Sequence, residues 1–156
     1  MDSNDPILVS KVRDKLENEF KTHPDLYDAC DLDRLRDNDW YIRRYLLATR
    51  LDVENAFVMA RDAMKWRKEF GVNYRTELDF PIEFYRIGIL FPYCVDREGK
   101  DVIYLRVKMY KYLPKFAEYF KQFFIYIINQ IDTKSGEKGM YLFLIVIKVG
   151  DPIYTR

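Results

Sequence analysis

The sequence predicts an α/β chain in which an N-terminal helical module precedes a mixed sheet with a flanking helix. Three observations carry that reading. Apolar residues recur every three or four positions between Leu8 and Phe70. Two β-prone runs then bracket the turn Asp96-Arg97-Glu98-Gly99-Lys100, and a helical pattern leads from there into the almost wholly apolar run Met140–Val149. The order helices, strand, strand, helix, strand is that of an α/β sheet begun after a helical prefix.

Leu8, Val12, Leu16 and Phe20 repeat every four residues among charges and predict a short amphipathic helix. Pro24 breaks it, and residues 1–32 form an N-terminal helical extension. A second helix is expected near Asp37, a good N-cap, with Tyr41, Ile42, Tyr45 and Leu46 on one side. Asp52 caps a third, on which Ala56, Ala60, Ala63 and Met64 make a narrow stripe that a neighbouring helix can approach closely. Trp66 and Phe70 share a face of this helix, and Gly71 falls where a left-handed C-cap belongs. Lys65, Arg67 and Lys68 lie in its last turn, where cations complement the carbonyl end of the dipole, so these charges need no partner. Residues 33–73 are read as one helical module.

After Gly71 the polar connection Asn73 to Pro81 marks a boundary, and a second region spans 80–156. Arg86 to Tyr110 predicts a hairpin with Gly99 at positive φ. Pro92 places its first strand at an edge or makes it irregular, and Val102–Val107 is the better strand. Pro114 suits the first turn of a helix whose stripe is Phe116, Phe120, Phe123, Ile127 and Ile131. Phe124 and Ile128 widen that stripe past a usual core face. Thr133 to Gly139 is a flexible turn, and Met140–Val149 reads as a strand covered on both faces.

Composition excludes several functions. A formal net charge of +1 gives no general pull toward nucleic acid. Cys30 and Cys94 offer neither metal-ligand spacing nor a disulfide framework, which fits a reducing, cytoplasmic setting. The N-terminus lacks the basic-then-apolar pattern of a signal peptide, and no apolar run reaches the roughly 20 residues of a membrane span. His23, the one histidine, precedes a proline with no serine or cysteine near it, so no triad is predicted. The Asp-Leu-Asp and Asp-Asn-Asp pairs sit where helix caps are expected, and no metal site or cofactor is expected. With 13 Tyr and 11 Phe, the chain has either a large aromatic core or an apolar cavity to line, and periodicity leaves both open.

Two stretches resemble a known family. Arg44-Tyr45-Leu46, Arg50, Asp52-Val53-Glu54-Asn55-Ala56 and Trp66-Arg67 resemble the N-terminal helical module of CRAL-TRIO lipid-binding proteins. Asp96, Gly99, Val102 and Arg106 resemble the first hairpin of the CRAL-TRIO domain itself. The resemblance runs from about Ile7 to Val149. It implies a helical prefix, a mixed sheet and a hydrophobic pocket closed by a mobile helix. It also implies a module without covalent catalysis that holds a phospholipid, sterol-like, retinoid or tocopherol ligand and exchanges it with membranes. One branch of the family matches best, and its members are tied to the endoplasmic reticulum.

On that implication the lipid contacts fall on Tyr104, Arg106, Phe120, Phe124, Ile127, Phe143 and Ile145, which lie on the apolar helix and the two best strands. Each reads equally well as ordinary core. A complete domain of the family continues for about another hundred residues, and Lys148 and Gly150-Asp151 blur its usual motif. The chain is therefore expected to be a truncated form, with lipid transfer impaired and the edge of Met140–Val149 unpaired. A different reading is a helical interaction module, Asp37 to Asn73, that binds or regulates a protein without holding lipid. Peripheral membrane association through Leu8–Phe20 ranks last.

Overall fold

The first helix, α1 (Pro6–Thr22), starts where Asp5 accepts a hydrogen bond from the Ile7 N–H at 2.9 Å and Pro6 supplies a preset φ. The computed structural model describes residues 5–107 and 116–145, with only the backbone of Ile145. The chain divides into two units, Met1–Tyr74 and Arg75–Arg156.

In the first unit, α1 is followed by α2 (Ala29–Asp37), α3 (Trp40–Ala48) and α4 (Val53–Phe70). The expected face of α1, Leu8, Val12, Leu16 and Phe20, is buried against Leu35, Ile42, Leu46, Ala56, Ala60 and Met64 in one core. That burial corrects the membrane reading of this helix, because its apolar face is occupied inside the unit. The second helix is also corrected: Asp37 ends α2 rather than capping a helix. The Asn38 side chain instead accepts from the Trp40 N–H at 3.0 Å to start α3. The residues of α2 carry only Leu32 and Leu35 as large apolar anchors, too few to show a period. Tertiary contacts hold this helix.

Asp52 caps α4 by accepting from the Asn55 N–H at 2.9 Å, and Gly71 closes it at φ 71°. The connection between α3 and α4 puts two non-glycine residues in the left-handed region, Arg50 at φ 55° and Leu51 at φ 68°. There the Leu51 N–H bonds the Leu46 carbonyl at 2.7 Å while its side chain packs on the core, which offsets the strain.

The cations of the α4 C-terminus do more than complement its dipole. Arg67 Nε donates to Asp31 Oδ1 at 3.0 Å, and Lys68 Nζ donates to the carbonyls of Asp25 (2.7 Å) and Tyr27 (3.0 Å). Asn73 joins the same cluster, donating to Asp28 at 2.9 Å and Asp31 at 2.8 Å. A buried polar network thus ties α2, α4 and the segment that follows α4.

The second unit contains α5 (Ile82–Arg86), β1 (Leu90–Val95), β2 (Asp101–Arg106), α6 (Ala117–Ser135) and β3 (Met140–Ile145). The strand order is β1-β2-β3, with β1 antiparallel and β3 parallel to β2. The fold is therefore α/β, with a mixed sheet and a flanking helix. The turn works as read: Gly99 has φ 80°, and Asp96 Oδ1 accepts the N–H groups of Glu98 and Lys100, each at 2.8 Å. Pro92 lies in edge strand β1 beside a register shift between Pro92 and Cys94. β2 begins and ends one residue earlier than expected. Pro114 and residues 146–149 lie outside the described residues.

One face of the sheet packs on α6, whose Phe120, Phe123 and Ile131 join Phe80, Phe84, Ile89, Leu90 and Ile103 in an aromatic-rich core. Phe124, Ile127 and Ile128 flank it half-buried, while Phe116 is exposed. The expectation that the Met140–Val149 strand is covered on both faces is corrected. Tyr141, Leu142, Phe143 and Leu144 are all exposed. Among the described residues, the α6 core engages Leu90 and Ile103 on β1 and β2 and, of β3, only Met140. An apolar sequence marks a strand as able to be covered; it does not supply the cover.

A buried pair joins the end of α6 to the start of β2. Ser135 Oγ donates to Asp101 Oδ2 at 2.5 Å, and Lys134 Nζ lies 3.4 Å from Oδ1. The serine hydrogen bond, aided by the lysine charge and opposed by desolvation, holds the Asp101 carboxyl below the ordinary aspartate value of 3.8. A lowered folded-state value favours the ionised native form. The stabilisation is complete well above pH 3.8 and is lost as pH falls through the lowered value. Acid titration of unfolding, followed by amide exchange in β2, is expected to show that loss. Asp101→Asn should flatten it, and an unchanged acid slope in that variant would remove Asp101 as its source.

Candidate functional site

The alternation of β2 sorts the candidate residues onto two sides of the sheet. Ile103 and Leu105 point to the α6 core, so Val102, Tyr104 and Arg106 point to the opposite face. The register carries this face to both neighbours: Tyr104 is opposite Phe91 on β1 and Phe143 on β3, and Val102 is opposite Tyr141. Tyr104 stacks on Phe91 at 5.8 Å between ring centroids and on Phe143 at 5.7 Å, and meets Tyr93 edge-on at 5.3 Å. A continuous aromatic row therefore crosses all three strands.

The row is open. Phe143 is 50% exposed, Tyr141 43% and Tyr93 69%, and Tyr104 at its centre is half-buried. Cations stand at both ends. The Arg106 guanidinium lies 5.2 Å from the Phe91 ring centre and donates to the Ile87 carbonyl at 3.5 Å. Lys100 Nζ bonds Glu98 at 2.6 Å and the Tyr141 hydroxyl at 3.1 Å, which holds the ammonium protonated well above the ordinary lysine range.

Of the seven candidates, the fold brings Tyr104, Arg106 and Phe143 together on this face. Phe120, Phe124 and Ile127 sit on α6, on the other side of the sheet. Phe120 and Phe124 border a solvent-open cleft of about 350 Å³, together with Ala117, Glu118 and Lys121. The side chain of Ile145 lies outside the described residues; its backbone pairs with Arg106. Sequence reasoning missed Phe91, Tyr93 and Tyr141. Their signal was the period of two in Phe91/Tyr93 and Tyr141/Phe143, which becomes a shared face only once the register is known.

Among the described residues no cluster of His, Cys, Asp and Glu could hold a metal ion. No helix among them is long and apolar enough to cross a membrane.

No family model matches the chain, and no solved structure matches it. The chain is 30% identical over 100 residues to Patellin-3 of Arabidopsis thaliana, across 62% of this chain and 20% of that protein. It is 31% identical over 102 residues to the phosphatidylinositol/phosphatidylcholine transfer protein SFH9 of Arabidopsis thaliana, across 62% of this chain and 18% of that protein. The matches thus span about a fifth of the length of these curated relatives. The two similarities support the CRAL-TRIO resemblance at the level of the family.

Proposed function

We propose that the chain is a CRAL-TRIO-type lipid-binding module that holds a phospholipid without covalent chemistry, its acyl chains lying on the open aromatic face of the sheet. The observation that carries this reading is the row Tyr93, Phe91, Tyr104 and Phe143, continuous across three strands, with Tyr93 and Phe143 exposed to solvent. An aromatic surface of that kind gains from apolar cover, and lipid chains supply it. The similarity to a phosphatidylinositol/phosphatidylcholine transfer protein supports the same ligand class. Exchange with a membrane surface belongs to the proposal, in the cytoplasm and at the endoplasmic reticulum. So does the likeness to motile sperm domain-containing protein 2 and its relatives, carried by Asp28-Ala29-Cys30-Asp31 with Arg34-Leu35, by Trp66-Arg67-Lys68-Glu69 with Val72-Asn73, and by Arg106-Val107-Lys108.

The test is native mass spectrometry of the chain after incubation with phosphatidylcholine vesicles containing phosphatidylinositol. One bound phospholipid per chain is expected, and Phe143→Asp should weaken retention about ten-fold by placing a charge in the apolar contact. Phe143 is half-exposed, so the variant keeps its fold. A chain that takes up no phospholipid, or equal retention by the variant, would overturn the assignment.

A second reading draws on the first unit. An open groove of about 520 Å³ runs beside α4, lined by Thr49, Asn55, Val58, Met59 and Asp62, with Val58 and Met59 exposed. That surface favours a helical protein-interaction module, and it becomes the working reading if no lipid is retained.

A further inference from the structure

The segment before β1 carries a feature that the lipid reading does not use. Glu77–Asp79 forms a single 3-10 turn, fixed where the Asp79 carboxylate accepts from both the Thr76 N–H at 2.6 Å and the Thr76 hydroxyl at 3.2 Å. The turn presents Leu78 at 90% exposure, beside Ile82 at 54%. Behind them Glu77, Leu78, Phe80, Ile82 and Tyr85 line an open cleft of about 440 Å³. A large aliphatic side chain held in water on an ordered turn, next to an apolar cleft, has the form of a contact surface.

Charge selects what fits there. Among the described residues that line it, one is a carboxylate, Glu77, and none is a cation. Asp79 and Glu83 flank it in sequence, and none of the three makes an ion pair among the described residues. Their field reaches the cleft: burial is the main cause that pushes the Tyr85 and Tyr126 hydroxyls up, and Glu77 adds to it for both. A second copy of the chain would bring the same carboxylates face to face, and an anionic membrane would be repelled. A cationic partner would instead relieve them.

We infer that this cleft docks a protein segment in which one or two large apolar residues are flanked by lysine or arginine, the apolar residues covering Leu78 and Ile82 and the cations pairing with Glu77 and its acidic neighbours. The surface is separate from the aromatic sheet face, so the inference does not depend on lipid binding.

The test uses the full chain labelled with nitrogen-15 and two short synthetic peptides of identical Leu-Phe-Leu centre, one flanked by lysines and the other by glutamates. The lysine-flanked peptide is expected to bind about ten-fold tighter or better, with amide shifts confined to Leu78, Ile82, Tyr85 and their neighbours, and with affinity that falls as salt rises. Glu77→Gln should weaken it several-fold, and Leu78→Asp should reduce it at least as much by removing the apolar contact. Both positions are exposed, so both variants fold, and Glu77→Gln alone suffices if Leu78→Asp does not. Equal binding of the two peptides, shifts centred elsewhere, or a concentration-dependent dimer that Leu78→Asp dissolves would each overturn the inference.

Discussion

Asp31→Ala is expected to destabilise the N-terminal unit by about 3 kcal/mol, the largest effect of any polar substitution in that unit. Asp31 is 2% exposed and accepts from Arg34 Nη1 at 3.1 Å, Arg67 Nε at 3.0 Å and Asn73 Nδ2 at 2.8 Å. The donors are also tied to one another: Arg34 and Arg67 both donate to the Asn73 side-chain oxygen Oδ1, at 3.0 and 2.9 Å. Removing the carboxylate leaves two guanidinium groups and an amide without their shared acceptor. The estimate sits at the low end of the usual range because the Arg34 and Arg67 side chains reach solvent, at 30% and 18% exposure.

The readout is clean because both tryptophans of the chain, Trp40 and Trp66, belong to this unit. Tryptophan fluorescence therefore follows its unfolding without a signal from the second unit. A fall in midpoint of more than about 10 °C is expected for Asp31→Ala. Arg36→Ala, which removes only exposed pairs to Glu17 and Asp33, should cost less than about 1 kcal/mol. Similar midpoints for the two variants would show that the buried network contributes no more than the surface pairs.

Phe123→Ala carries the second large effect, a loss of about 3–5 kcal/mol in the second unit. Phe123 is fully buried on α6. Its ring meets Phe80 at 5.4 Å, Phe84 at 5.4 Å and Tyr85 at 5.0 Å, all edge-on, so alanine empties the centre of an aromatic cluster. The helix α6 backs the sheet through this cluster. Amide exchange at Ile103 and Leu105 should therefore accelerate together, and phospholipid retention on the far face should fall with it. Phe124→Ala, one residue on and half-buried, should cost less than half as much. Slow exchange in Phe123→Ala, with retention unchanged, would mean that the sheet keeps its form without the helix.

The two variants also separate stability from contact. Phe143→Asp acts on the open face and Phe123→Ala on the covered one, so loss of lipid in both with altered exchange only in the second is the pattern expected.

Much of the architecture was legible in the sequence, element by element. The four-residue repeat from Leu8 to Phe20, the Asp52 cap, Gly71 at the end of α4 and Gly99 in the hairpin are local signals, and the structure contains each of them. Elements with few apolar residues were not legible. In α2, Leu35 and the charged Asp31 are both buried, and the helix is specified by partners as distant in sequence as Arg67 and Asn73. The five-residue α5 is likewise too short to show a period.

The site was legible by residue type and not by grouping. The sequence by itself determined that the chain alternates helices with β-prone runs, that Tyr104, Phe120, Phe124 and Phe143 lie on regular elements, and that Arg67 ends a helix. Only the tertiary structure decided that Tyr104 and Phe143 share a face with Phe91 and Tyr93 while Phe120 and Phe124 lie across the sheet. The reason is physical. Side-chain direction along one strand follows from a period of two, but which side chains meet across strands depends on register, and which face is covered depends on where α6 packs. Those are properties of contacts between distant segments, and no single segment encodes them.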